Sequence, residues 1–193
     1  GLSSTGVYAI AYSISALVQL PRRTLSEIVT PLIAAAFKEG QMDKIEELYQ
    51  KTSVNLMIIG GFAFTGIWVN IDSIFSLMPN SESFVSGKYV VLLIALTNLF
   101  DMSLGISTPI ITNSKYYRWN LLFLPFLAIL TIVSNLLLIP IYGILGAAGA
   151  TLISVTLIHT LRYFFVLIKL KLQPFNLQTL KGLLIIGFVF YIA

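Results

Sequence analysis

The feature that most constrains this chain is the stretch from Asn135 to Ser154, NLLLIPIYGILGAAGATLIS. One apolar run ends there, breaks at Pro140 and Tyr142-Gly143, and restarts at once as a second apolar run rich in small residues. Pro140 lacks the N–H that a helix ladder needs, and Gly143 accepts backbone angles other residues resist, so the chain can reverse within a few residues. Beyond the turn, Gly146, Ala150 and Ser154 recur at every fourth position, as do Gly143, Ala147 and Thr151. Both rows let another helix approach closely, which is how helices associate where the surrounding lipid is as apolar as leucine. The pattern predicts a helical hairpin built for a membrane.

Composition supports that medium. Hydrophobic residues make up 57% of the chain and charged residues 10%, with a mean hydropathy of +0.90. A soluble domain is about a quarter charged, so this chain cannot clothe itself in polar surface. The expected fold class is all-α, a polytopic transmembrane helix bundle in one domain. Apolar segments fall at residues 7–37, 53–78, 89–111, 121–141, 144–168 and 182–193, the last short of a full crossing. Because the chain opens on Gly1 and stops at FVFYIA inside an apolar run, it is read as a slice of a longer protein. No basic leader and cleavage site precede residues 7–20, so they are not a signal peptide. With no cysteine, disulfides and thiolate chemistry are excluded.

A net charge of +4 would suit nucleic acid, but the distribution of the bases argues for a membrane instead. One set of alternate loops holds Lys38, Lys44, Lys51, Lys115, Arg118, Lys169, Lys171 and Lys181, and the opposite set holds only Lys88. The excess of positive charge marks the cytoplasmic side and places residue 1 outside. The segment KEGQMDKIEELYQK puts Met42, Ile45 and Tyr49 on one stripe and pairs Glu47 with Lys51, as in a short helix lying on the inner surface. NSKYYRWN, with bases beside aromatics, reads as an interfacial anchor. Gly60-Gly61 and Gly66 favour close packing or bending in the second span. Trp68 suits the outer aromatic belt, and Asp72 suits the outer interface.

Charges at depth are the functional candidates. Residues 7–37 as one helix would run about 46 Å, well beyond a ~30 Å hydrocarbon core, yet the two halves around PRRTLSE are each too short to cross. Pro21 and Pro31 offer kinks, and Arg22, Arg23 and Glu27 fall near the middle. Arg23 and Glu27, one turn apart, can neutralise each other, whereas Arg22 has no carboxylate at helical spacing and is better explained by a cavity that binds an anion. Asp101 lies halfway along the third span. It is either a coupling carboxyl that takes up and releases a proton or a packing aspartate paired with Arg22 or Arg23. His159 and Arg162 share a face of the fifth span. His159 is a candidate proton relay or a hydrogen-bonded bundle histidine, and Arg162 is close enough to the inner end to snorkel. No nucleotide-binding, zinc-protease or serine-hydrolase motif is present, so no catalytic residue, metal site or cofactor is assigned.

Taken together, GVYAIAYSISALVQLPRRTLSEIVTPLIAAAFKEGQMDKIEELYQ, NSKYYRWN, and LLLIPIYGILGAAGATLIS followed by a base-ending span and a QPF step resemble the C-terminal half of a bacterial polysaccharide flippase. These are the lipid-linked oligosaccharide exporters of the multidrug/oligosaccharidyl-lipid/polysaccharide exporter superfamily. IPxYGxxGAA is the more specific of these signals. The resemblance implies a carrier of twelve to fourteen helices in two pseudo-symmetric bundles around a cavity, in the inner membrane. It would turn a polyprenyl-diphosphate-linked oligosaccharide between leaflets by alternating access. It also implies membrane lipids and envelope polysaccharide assembly proteins as partners, and no nucleic acid. Arg22 and Arg23 match the family's cationic cavity by type and depth. Three rival readings remain: a multidrug antiporter of the same superfamily, a membrane enzyme of lipid-linked glycan assembly, and a scaffold in an envelope complex.

Overall fold

A computed structural model describes residues 2–77 and 87–176, and beyond these residues 179, 181, 182, 184, 186, 187 and 190. Among the described residues all regular structure is helical: α1 (Leu2–Ala16), a 3-10 stretch (Leu17–Gln19), α2 (Leu20–Lys38), α3 (Met42–Val69), α4 (Ile71–Ser76), α5 (Lys88–Ser103), α6 (Ser107–Asn113) and α7 (Trp119–Leu170). The chain is an all-α membrane protein: α3 and α7 are each long and apolar enough to cross a bilayer, and α5 with α6 forms a third candidate, bent by 48°. Most of the sixth apolar segment and of the loop before Lys88 lie outside the described residues.

The opening segment is a nearly continuous helical run from Leu2 to Lys38. It tightens at Leu17–Gln19, just ahead of Pro21, which occupies the first turn of α2 where its missing N–H leaves no bond unmade. Pro31, the other expected kink, lies inside α2 without interrupting it.

The expected surface helix is corrected. Its residues are the first turns of α3, with Ile45 and Tyr49 fully buried against Ile33, Ile110 and Val166, and Met42 left exposed. The apolar stripe found helices to pack on and did not lie in the headgroup layer. The geometry follows from a sharp turn at Gly40, whose φ of 71° lets Gly40 donate to the Phe37 carbonyl and Gln41 to that of Ala36. This is a glycine-capped helix end that consumes two orphan carbonyls and turns the chain back at once. The expected pair of Glu47 and Lys51 is present at 2.5 Å.

The third expected span is broken. Gly105 takes φ 64° between α5 and α6, and a Cβ there would stand 3.2 Å from that of Ser53 on α3. The Ser53 hydroxyl donates to the Ser103 carbonyl at the same point, satisfying a group that the bend releases from the ladder.

The hairpin at Gly143 forms as the sequence predicts. Its φ of 57° and ψ of −129° are those of a mirror-image turn that excludes most side chains, and α7 therefore consists of two antiparallel arms, residues 119–142 and 144–170. Contacts step symmetrically away from the turn. A Cβ on Gly146 would collide with the Leu138 carbonyl, Ser154 and Ser134 hydroxyls meet at 3.3 Å, and Phe123 meets Phe165 at 5.6 Å. At ~1.5 Å per residue the arms are roughly 36 and 40 Å long, so each suffices to cross. The first arm exposes Leu121, Leu136 and Ile141 broadly, as a lipid-facing or lobe-facing surface would.

In the turn between α6 and α7, Lys115 and Arg118 lie over the rings of Tyr116 and Tyr117. Lys88 sits 2.6 Å from Asp72 and over Trp68.

Candidate functional site

The deep charges converge where α2, α5 and the second arm of α7 meet. Asp101, 2% exposed, is the centre. Its Oδ2 accepts a hydrogen bond from Gln19 Nε2 at 3.1 Å and stands 2.7 Å from Arg22 Nη1. Its Oδ1 lies 2.9 Å from His159 Nε2 at an angle that is not that of a hydrogen bond, so Oδ1 keeps no hydrogen-bond partner. The 3-10 turn explains how one helix delivers two ligands. Gln19 and Arg22 are three residues apart and so share a face, whereas Arg23 is turned about 100° away.

Asp101, His159 and Arg22 line a cavity of about 290 Å³ together with Tyr12, Gln19, Thr97, Asn98, Thr108, Thr151 and Arg162. Helix α5 is fixed against α1 by Asn98, whose amide donates to the Ser15 carbonyl at 2.8 Å, and by Ser15, whose hydroxyl donates to that of Val91. Arg162 does not snorkel to the inner end. It donates to Thr108 Oγ1 at 3.3 Å and its guanidinium carbon lies 5.6 Å from the Phe123 ring centroid. The bend at Gly105 makes this possible, because it carries Thr108 on α6 toward α7.

The sequence candidates therefore separate. Arg22, Asp101 and His159 come together, and of the two arginines offered as partners for Asp101 it is Arg22 that stands within ion-pair distance. Arg23 and Glu27 are exposed and form no ion pair with each other. They line a neighbouring opening of about 330 Å³ with Gln19, Arg22 and Ser26. Since Gln19 and Arg22 border both spaces, the exposed polar face of α2 leads past Arg22 toward Asp101. Sequence reasoning missed Gln19, Thr108 and the inward course of Arg162. The spacing of Gln19 to Arg22 carried a usable signal, and the Thr108 contact, which depends on a bend in another helix, did not. Among the described residues, no cluster of three potential metal ligands occurs.

An apolar groove of about 700 Å³ lies between α3, α5 and α7, walled by Met57, Leu96, Leu99, Phe100, Ile153 and Leu157. Polar cavity and apolar groove thus flank the same α5–α7 seam: Asp101 and His159 border one, Phe100 and Thr160 the other.

No family model matches the chain, and no solved structure matches it. Two curated proteins of the archaeon Haloferax volcanii do. One, named a probable low-salt glycan biosynthesis flippase, is 26% identical over 97% of this chain, and the other, named a probable flippase, is 26% identical over 99%. The chain spans about 40% of the length of these relatives (40% and 39%). Along nearly its whole length, then, this membrane-helical chain is similar to proteins named as probable flippases, one of them in glycan biosynthesis.

Proposed function

We propose that this chain is part of a transporter that turns a polyprenyl-diphosphate-linked oligosaccharide across the plasma membrane for surface glycan assembly. The observation that carries the reading is a charged, partly open cavity within a largely apolar helical bundle. Moving a diphosphate through ~30 Å of hydrocarbon is costly, and guanidinium groups in a wet recess lower that barrier by charge-assisted hydrogen bonds. Arg23 stands exposed at the mouth and Arg22 at the inner junction, so a headgroup meets a cation first on the surface and again at depth. The sugars need only water and hydroxyl partners, and the isoprenoid tail stays in lipid or in the apolar groove. The protein acts as a carrier, and no bond is made or broken. Its further partners would be lipids and envelope assembly proteins, and the similarity to archaeal flippases extends the expected setting from a bacterial inner membrane to any single plasma membrane of this kind.

The geometry favours an anionic cargo over a cationic drug. The carboxylate lining the cavity, Asp101, already faces Arg22 and His159, and the other acid nearby, Glu27, stands exposed at the neighbouring opening and not in the cavity. The test is replacement of Arg22 and Arg23 together by Gln in the full-length protein. Export of the glycan should fall to background while the protein remains inserted and folded. Wild-type surface glycan in that variant would remove the anion-cavity reading.

A further inference from the structure

We propose that Arg162 is the group on which the anion docks in the polar cavity. The inference rests on the reading of an anionic cargo and gives it a residue outside the anion-binding candidates of the sequence, Arg22 and Arg23.

The cavity holds two guanidiniums, Arg22 and Arg162, against one carboxylate, Asp101. Asp101 is committed to Arg22 at 2.7 Å, with Gln19 on the same oxygen. Arg162 has no carboxylate of its own, because its single hydrogen bond goes to the neutral Thr108 hydroxyl at 3.3 Å. Its Nε is buried without a partner, as are Nδ1 of His159 and Nε of Arg22. An unpaired guanidinium in an apolar bundle is costly unless an anion or water reaches it. A guanidinium with a vacant Nε donor, beside an imidazole one helical turn away, is suited to an oxyanion.

Several features make Arg162 a docking point and not only a packed residue. Phe123 lies against its guanidinium, with the guanidinium carbon 5.6 Å from the ring centroid, and helps hold the side chain at the cavity. At about 290 Å³ the space is at the lower limit of the ~300–1,000 Å³ of drug-sized sites. It therefore takes a phosphate or diphosphate group and excludes an oligosaccharide. Arg22 is the gate, since it borders both the outer opening and the cavity. An anion passing it competes with Asp101, then comes to rest on the cation that has no carboxylate within ion-pair distance.

The test uses the full-length protein in nanodiscs, with thermal stabilisation and titration as readouts and three probes: inorganic diphosphate, farnesyl diphosphate and farnesol. Inorganic diphosphate should stabilise the wild type, and Arg162→Gln should weaken its binding at least tenfold. Arg162→Lys, which keeps the charge and loses the fork, should fall between the two and serves if the Gln variant folds poorly. Absence of diphosphate binding by the wild type, or undiminished binding by either variant, overturns the assignment. The two diphosphates separate the inference from the reading beneath it. Arg162-dependent binding of inorganic diphosphate without tighter binding of farnesyl diphosphate leaves the docking site standing and removes the lipid-linked cargo. Farnesyl diphosphate binding that farnesol matches and Arg162→Gln leaves intact is driven by the tail and overturns the docking role.

Discussion

Two junctions involve the second arm of α7, and they are built on opposite principles. Along the hairpin seam, Gly146, Ala150 and Ser154 are buried and the backbones nearly touch. Where the same arm meets α2 and α5, the residues at the contact are Asp101, His159, Arg22 and Arg162, and a cavity of about 290 Å³ remains. Lipid supplies little hydrophobic drive between helices, so the seam closes by van der Waals contact between small residues. The charged junction cannot close in that way. Each ion must keep a partner or water, and long side chains hold the helices apart. One helix thus has a closely packed face, which anchors it, and an adjacent polar face at which something can bind.

The largest effect should come from breaking the closely packed seam. Gly146→Leu forces a side chain into the Leu138 carbonyl, which is backbone and cannot move aside. We expect a loss of about 4 kcal/mol or more, seen as failure to recover monodisperse protein in detergent. Recovery of a folded variant with normal thermal stability would mean that the arms separate readily and that the contrast between the junctions is overstated.

A smaller loss is expected at the polar junction from Asp101→Asn. It leaves the Arg22 guanidinium facing a neutral amide, and removing one partner of a buried pair costs about 3–5 kcal/mol. Arg22 keeps a side-chain exposure of 22%, so water offsets part of this and about 3 kcal/mol is the figure to test by thermal or denaturant unfolding. Adding Arg22→Gln should restore most of the loss, because the second change removes the orphaned charge. A double variant as unstable as the single one would show that Asp101 acts through Gln19 or His159 and not through Arg22.

These two junctions were unequally legible in the sequence. The hairpin is a local feature: Pro140, Gly143 and a four-residue recurrence of small side chains lie within about twenty residues, and backbone sterics convert them directly into a turn and a seam. The depth of Arg22, Asp101 and His159 was also legible, since it follows from position within apolar runs. Which of them meet was not, because pairing depends on how each helix is rotated about its axis. Periodicity gives only relative rotation, and that was enough to group His159 with Arg162. The same rule would have parted Arg22 from Arg23, since neighbours on a helix diverge by about 100°. The apolar stripe of Ile45 and Tyr49 was visible but assigned to the membrane surface, because amphipathicity does not say whether the partner is lipid or another helix. Gly40, three residues ahead of Asp43, was the overlooked sign that the chain turns sharply there and carries the stripe back into the bundle.

The smallest effect sharpens the contrast within a single helix turn. Arg23→Gln should change stability by no more than about 0.5 kcal/mol, since the side chain is exposed and has no ion-pair partner among the described residues. Arg22→Gln, one residue earlier, leaves Asp101 with Gln19 and His159 alone and should cost clearly more. Measured side by side in the same membrane mimetic, the two substitutions remove the same charge at nearly the same depth and differ only in azimuth. A large gap between them means that partnership governs the energy of a buried arginine here. Equal losses would mean that depth alone governs it, and that Arg23 is held by contacts that its exposed position does not display.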